Sequence, residues 1–350
     1  MNIYLPNGYI DFEAIENIGM PFNFIIGARG TGKTYGCIKR QIEQQRMFLY
    51  LRRSQAQLQL LNSPDFNPFL PVAQDMGLGY EMKKVIAPVG GVWLVDPNNE
   101  DDEGAQIAYT APLSTFGNLR GFNGRAIKTI LYDEIIKEEN ERGLKNEAYA
   151  FFNAYETINR NRELVTPEHP DPEPPVQCYF LCNSESLATD MFAGFGISLQ
   201  IEKMYRENKW YWINRDRGIA VFRLRDSKIS AKKAETALYK VTKGTAYYGM
   251  AIENNMRDYQ ADRYKSRNLN SYQPIIGIGE ITVYQHKSER QYYVGGRRDG
   301  TFPVIDTDRE GRAYLRRYYR SLLIAYESKL MTFESYMCEQ IFLNSFEYKG

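Results

Sequence analysis

Histidine and cysteine are scarce in this chain: two histidines (His169, His286) and four cysteines (Cys37, Cys178, Cys182, Cys338) among 350 residues, with no C-x-x-C pair. A zinc site needs several such ligands at close spacing, so none is expected, and isolated thiols fit reduced cysteines in a cytosol. No run of about eighteen apolar residues occurs, so no membrane-spanning helix is expected. The first ten residues lack the basic start and apolar core of a secretory signal. Internal repeats and low-complexity tracts are also missing. What is present suffices for real cores, with 43% hydrophobic and 14% aromatic residues, and the length suggests about two domains. Charge is segregated: residues 1–200 hold 17 basic and 25 acidic side chains, residues 201–350 hold 27 and 18. Such asymmetry points to an anionic partner for the basic half.

The strongest motif is Gly27-Ala28-Arg29-Gly30-Thr31-Gly32-Lys33-Thr34. It follows the apolar run Phe22–Ile26 and precedes a segment that can continue as a helix to Gln45. In G-x-x-x-x-G-K-[ST] the glycines let backbone N–H groups curl around a β-phosphate. The lysine neutralises phosphate charge, and the hydroxyl holds Mg²⁺. The following helix adds its positive N-terminal end. About 100 residues later, Ile127-Lys128-Thr129-Ile130-Leu131-Tyr132-Asp133-Glu134 reads as a buried parallel strand delivering two carboxylates to the sheet edge. Beside a phosphate loop, Asp133 is the expected Mg²⁺-side acid and Glu134 the group that polarises the attacking water.

Other segments fill in the chain. Met1–Met20 reads as a leader with a short helix at 11–18 and no visible chemistry. Residues 46–53 form a strand ending in Arg52-Arg53, and Ser54 begins a helix. Lys84–Ile86 and Val92–Val95 read as a hairpin turning at Gly90-Gly91. A flexible Gly117–Gly124 loop is expected next, carrying Arg120 and then Arg125. A helix over 145–158 ends in Asn159-Arg160-Asn161-Arg162, where arginines also complement a helix dipole. The strand Val176–Cys182 ends at Asn183-Ser184, a polar edge suited to sensing a γ-phosphate. Further on, Pro274–Val283, Gln291–Gly295 and Thr301–Ile305 read as strands, and 311–329 as one long helix.

Taken together, the phosphate loop, Tyr50-Leu51-Arg52-Arg53, Asp133-Glu134, Thr157–Glu163 and Leu181-Cys182-Asn183-Ser184 resemble the DNA-packaging ATPases of small tailed phages, the podovirus type with a prohead RNA. The resemblance covers most of residues 20–200. It implies an α/β additional-strand catalytic-glutamate (ASCE) P-loop domain with a mostly parallel sheet, ATP and Mg²⁺ as cofactors, and a homopentameric ring. It further implies double-stranded DNA, prohead RNA and the portal as partners, at the portal vertex in the host cytoplasm. Carried over residue by residue, Gly27 to Thr34 bind nucleotide and Thr34 and Asp133 bind metal. Lys33, Glu134 and Asn183 are catalytic, and Arg160 is the arginine finger, with Arg162 as its alternative.

The expected partition is an ATPase domain at 1–200, a helical, basic linker at 201–265, and a small α/β RNase-H-like domain at 266–350. That last domain resembles the nuclease of large terminases only faintly. It offers Glu280, Asp299, Asp306 and Asp308 where several carboxylates must converge on two metals, and so reads as a nuclease relic turned to nucleic-acid binding. The leading reading is a DNA-translocating motor. A terminase-like enzyme with an active nuclease and a nucleotide-gated RNA- or portal-binding scaffold are the competing readings.

Overall fold

The computed structural model describes residues 2–99, 101–116, 121–137, 143–165, 170–184, 186–225, 228–255, 264 and 266–347. Arg120 and His169 lie outside them. Two compact units form: Met1–Glu185 with Trp210–Asn255, and Ser186–Lys209 with Met256–Gly350.

The first unit is built on nine strands. In chain order these are β1 (Phe22–Ile26), β2 (Phe48–Arg52), β3 (Gly79–Ile86), β4 (Val89–Val95), β5 (Ala105–Pro112), β6 (Thr129–Asp133), β7 (Gln177–Cys182), β8 (Tyr211–Asn214) and β9 (Ile219–Arg223). Their order across the sheet is β3-β4-β5-β2-β6-β7-β1-β9-β8. From β5 to β9 every pairing is parallel. The flanking β3, β4 and β8 are antiparallel. Because β7 separates β1 from β6, the sheet has the additional strand expected of an ASCE fold.

The central strands are apolar on both faces because both faces are covered. Alternation sends Ile25, Leu131, Tyr179 and Leu181 into the core that holds Cys37 and Ile38 of the helix Lys33–Glu43. It sends Phe24, Tyr132 and Phe180 to the other face. There Phe24 stacks on Phe180, and Phe151 of the helix Glu147–Asn159 packs on both Phe180 and Tyr132.

Several expectations are corrected. The hairpin of β3 and β4 turns at Ala87-Pro88, and Gly90 and Gly91 lie inside β4. Gly91 is small for packing rather than turning, since a Cβ there would come within 2.5 Å of the Trp93 ring. The described part of the expected 201–265 linker divides between the units: residues 201–209 belong to the second and Trp210–Asn255 to the first, where β9 pairs with β1 along its whole length. Its apolar run Ile219–Phe222 is fully buried there, which a solvated linker strand would not be. The helix expected over 311–329 is two helices, Arg309–Tyr318 and Arg320–Glu327, broken at Tyr319.

The second unit contains a five-stranded mixed sheet of β10 (Tyr272–Ile278), β11 (Ile281–His286), β12 (Tyr292–Gly296), β13 (Val304–Ile305) and β14 (Met331–Phe333), in the order β13-β10-β11-β12-β14. The single strand expected over 274–283 is a hairpin of β10 and β11, because Gly279 adopts φ +53° and reverses the chain beside Glu280. The helix Tyr336–Ser345 buries Met337, Ile341 and Phe342 in this unit, and Glu202 of the helix Ser198–Arg206 accepts a hydrogen bond from the Met337 N–H.

Phe151 is fully buried among Tyr132 and Phe180. Phe151→Ala is therefore expected to lower stability by about 3–5 kcal/mol, measured by denaturant unfolding. A loss under about 1 kcal/mol would contradict the packing described.

Candidate functional site: the phosphate loop and its acid

Register aligns the C-terminal ends of three strands. Ile26 pairs with Cys182, and Asp133 pairs with Leu181. The loop after β1, the acid of β6 and the amide after β7 therefore emerge at one edge, where open α/β sheets bind ligands. Within the loop, Gly30 and Gly32 have φ of +80° and +82°, a conformation that disfavours any side chain. Gly32 caps the helix Lys33–Glu43, so the helix N-terminus faces the loop's concavity.

Lys33 is buried, and its ammonium donates to the carbonyls of Gly27 (2.7 Å) and Ala28 (2.8 Å). Burial pulls its pKa down to about 8, against an opposing attraction to Asp133. The Thr34 hydroxyl lies 3.1 Å from each Asp133 oxygen, and the Tyr50 hydroxyl donates to Asp133 at 2.8 Å. This hydroxyl and carboxylate are hard oxygen donors. No group of three or more His, Cys, Asp or Glu able to hold a metal occurs among the described residues. Such a sparse oxygen set suits Mg²⁺, which keeps several waters and takes its remaining ligands from phosphate.

Glu134 follows β6 with φ +57°, a strained setting for a residue with a side chain. Two arginines hold it, and neither role was legible beforehand. The Arg52 guanidinium pairs with the Glu134 carboxylate, lies 3.6 Å from Asp133, and donates to the Tyr50 hydroxyl at 2.9 Å. Arg53 is buried, donates to the Glu134 and Ile135 carbonyls at 2.9 Å each, and pairs with buried Glu147 at 3.3 Å. Tyr132 donates to the same Glu147 carboxylate.

The two candidate fingers separate by burial. Arg160 is exposed at the C-cap of the helix Glu147–Asn159, donating to the Thr157 carbonyl (3.1 Å) and the Phe122 carbonyl (2.6 Å). Arg162 is 5% exposed and spends its guanidinium on the carbonyls of Arg125, Ile127, Ile158 and Asn159. It holds the chain between helix and strand. Arg29 is exposed on the phosphate loop, and Asn183 is buried and lines a pocket with it.

The leader given no chemistry above lies against the loop. Ile10 donates to the Thr31 carbonyl at 3.3 Å, and the Tyr9 ring would sit 2.8 Å from a Cβ on Gly32. A cleft of about 830 Å³ opens there, lined by Tyr9, Ile10, Gly30, Gly32, Tyr35 and Lys39 among others. Nothing in the first twenty residues signals this, because the cleft is made by tertiary placement.

Residues 9–271 match the Podovirus DNA encapsidation protein (Gp16) family. The chain belongs to that family. It is 28% identical over 255 residues to the DNA packaging protein of Bacillus phage B103, covering 71% of this chain and 68% of that one. It is 26% identical over 257 residues to the DNA packaging protein of Bacillus phage phi29, covering 72% and 65%. The chain thus spans about two-thirds of the length of these relatives. Among solved structures it superposes on the Phi-28 gp11 DNA packaging motor with a TM-score of 0.61 at 14% identity, covering 98% and 99% of the two chains. It superposes on the bacteriophage Phi-29 viral genome packaging motor assembly with a TM-score of 0.58 at 21% identity, covering 97% and 98%. The encapsidation family therefore shares its α/β fold with packaging-motor structures, as the resemblance in its motifs implied.

Lys33 makes a pH test available. Its folded pKa lies below the ordinary 10.5 of the unfolded chain, so the folded state binds fewer protons between about 8 and 10.5. Stability from this group therefore rises with pH across that window and is lowest below it. The unfolding constant of the wild type relative to Lys33→Met is expected to fall by up to about tenfold per pH unit from 8 to 10, read from denaturant curves. A pH-independent difference would show that Lys33 is not buried as a charge.

Proposed function

We propose that this protein is an ATP-hydrolysing motor that moves double-stranded DNA into a viral prohead. The observation that carries this reading is the convergence of Lys33, the Thr34–Asp133 pair and Glu134 on one sheet edge, in a chain of the DNA encapsidation family. ATP lies with its phosphates in the loop and its base in the cleft of Tyr9 and Tyr35. Thr34 and Asp133 would hold Mg²⁺, which would supply positive charge against that developing on the phosphates. Glu134 orients and deprotonates the attacking water, for which it exchanges its ion pair with Arg52. Asn183 stands at the γ-phosphate edge.

Arg160 acts as a finger on a neighbouring subunit's γ-phosphate. Its exposure favours that role, and the burial of Arg162 argues against the alternative. The assembled form is a ring, with five subunits as the family resemblance implies. Prohead RNA and the portal are its partners, at the portal vertex in the host cytoplasm. The second unit serves as a nucleic-acid-binding domain without nuclease activity. Glu280 accepts a hydrogen bond from the Ser198 N–H and Asp308 caps the helix Arg309–Tyr318, so both carboxylates have structural work. On that helix Arg317 lies over the exposed Tyr318 ring, a charge and stacking surface suited to phosphate and base.

Two experiments test the chemistry. Lys33→Ala is expected to abolish ATP binding, whereas Glu134→Gln keeps binding and loses turnover by about 10²-fold or more. Wild-type hydrolysis by Glu134→Gln would sink the assignment of the base. For the finger, Glu134→Gln subunits are mixed with Arg160→Ala subunits. Action across an interface restores activity in the mixture, because some sites then hold both parts. Action within one subunit restores none at any ratio.

A further inference from the structure

Beside the phosphate loop, and apart from the cleft of Tyr9, lies a second pocket of about 180 Å³ lined by Arg29, Asn183, Ser184, Lys233, Tyr239 and Tyr247 among others. It is smaller than the roughly 300–1,000 Å³ of sites that take a whole small molecule. Its walls come from the loop, the end of β7 and the helices Lys228–Ala234, Ala237–Val241 and Ala246–Ala251, all within the first unit. The Asn254 side chain accepts the Ala28 N–H, and Arg223 donates to the Asn254 carbonyl (3.4 Å) and the Asn255 side chain (3.0 Å). The helical wall is thereby tied to the loop.

Two independent observations mark this pocket as built for an anion. Lys233 turns its ammonium toward the loop, donating to the carbonyls of Arg29 (2.9 Å) and Ala251 (3.4 Å), and it lies 4.8 Å from the Tyr239 ring centre. None of its described partners is a carboxylate. Burial, and to a smaller extent Arg29, lower its pKa, and its charge in turn opposes that of Lys33. The cations therefore share one field that an anion would relieve. Separately, the Ser184 hydroxyl, in a residue 1% exposed, has no hydrogen-bond partner among the described residues. A buried hydroxyl without a partner is uncommon and unfavourable unless a ligand completes it.

We infer that Lys233 and Ser184, with Arg29 and Asn183, form a phosphate-anion subsite that holds the terminal phosphoryl group of the nucleotide or receives it as orthophosphate after hydrolysis. This rests on the nucleotide reading above and adds a contact from outside the phosphate-loop motif. Occupancy holds the three short helices against the loop, and release of phosphate frees them.

The test uses the full-length protein with Mg²⁺ and measures dissociation constants for ATPγS, ADP, and ADP with millimolar orthophosphate. Wild type, Lys233→Ala and Ser184→Ala are compared, with Lys33→Ala as control. Ser184→Ala removes only an unpartnered hydroxyl, so its unfolding midpoint is expected to stay or rise. ADP affinity is expected to change less than about twofold in both variants. The preference for ATPγS over ADP is expected to fall about tenfold in Lys233→Ala and about three- to fivefold in Ser184→Ala, matching one charged and one neutral hydrogen bond. Loss of that preference alone means the pocket reads the attached phosphoryl group. Loss of the orthophosphate effect alone means it receives the product. If both variants keep the wild-type preference and phosphate effect, the subsite does not exist. If wild type binds no nucleotide, or Lys33→Ala binds as wild type does, the nucleotide reading itself fails.

Discussion

The hydrogen bonds from the Thr34 hydroxyl to both oxygens of Asp133 join two segments 99 residues apart, and much of the site depends on what makes them possible. They require β1 and β6 to end at the same height although β7 lies between them. Parallel pairing supplies this, because each strand leaves its connection at the opposite edge and its chemistry at the same one. The central strands are fully buried on both faces, so their register is pinned by packing as well as by the ladder. A slip of one residue would exchange Phe24 with Ile25 between faces and take Thr34 away from Asp133.

Around that pair, the arginines of β2 and the residue after it are matched with carboxylates. Arg52 faces Glu134 and Asp133, whereas Arg53, its neighbour on the alternate side of β2, faces Glu147. A buried ion pair contributes little net stability by itself, but removing one partner leaves an uncompensated charge. The Arg53–Glu147 pair thus specifies a geometry. Its guanidinium also takes the carbonyls of Glu134 and Ile135, holding the backbone where Glu134 has a positive φ.

The phosphate loop and the acids were readable because motif and apolar run coincide within a few residues, whereas the order of their strands came only with the family resemblance. The roles of Arg52 and Arg53 were not. Alternation says only that two consecutive arginines face opposite ways, and their partners lie 82 and 94 residues later. Likewise, Ile219–Arg223 could be recognised as a strand, but its pairing with β1 is a tertiary choice that local pattern does not encode. Gly90-Gly91 drew the hairpin turn to the wrong place because close packing against Trp93 and a turn both call for glycine. The cleft at Tyr9 left no signal at all, since its walls come from segments with unremarkable patterns.

The helix Glu147–Asn159 brings these points together. At its first residue, Glu147 is bound by Arg53 and Tyr132, next to the backbone that carries Glu134. After its last residue, Arg160 adopts a left-handed conformation and is held by Thr157 and Phe122. Thirteen residues of helix make a strut about 20 Å long. Phe151 fastens its middle to the sheet through Tyr132 and Phe180. If Arg160 serves a neighbour's phosphate, one rigid element carries a subunit's own acid loop at one end and its contribution to the next site at the other. Any shift of the Glu134 backbone when the acid leaves Arg52 would then reach Arg160 through Arg53 and Glu147. The pathway consists of hydrogen-bonded and packed groups, and it would couple neighbouring sites by moving a side chain without any change of fold.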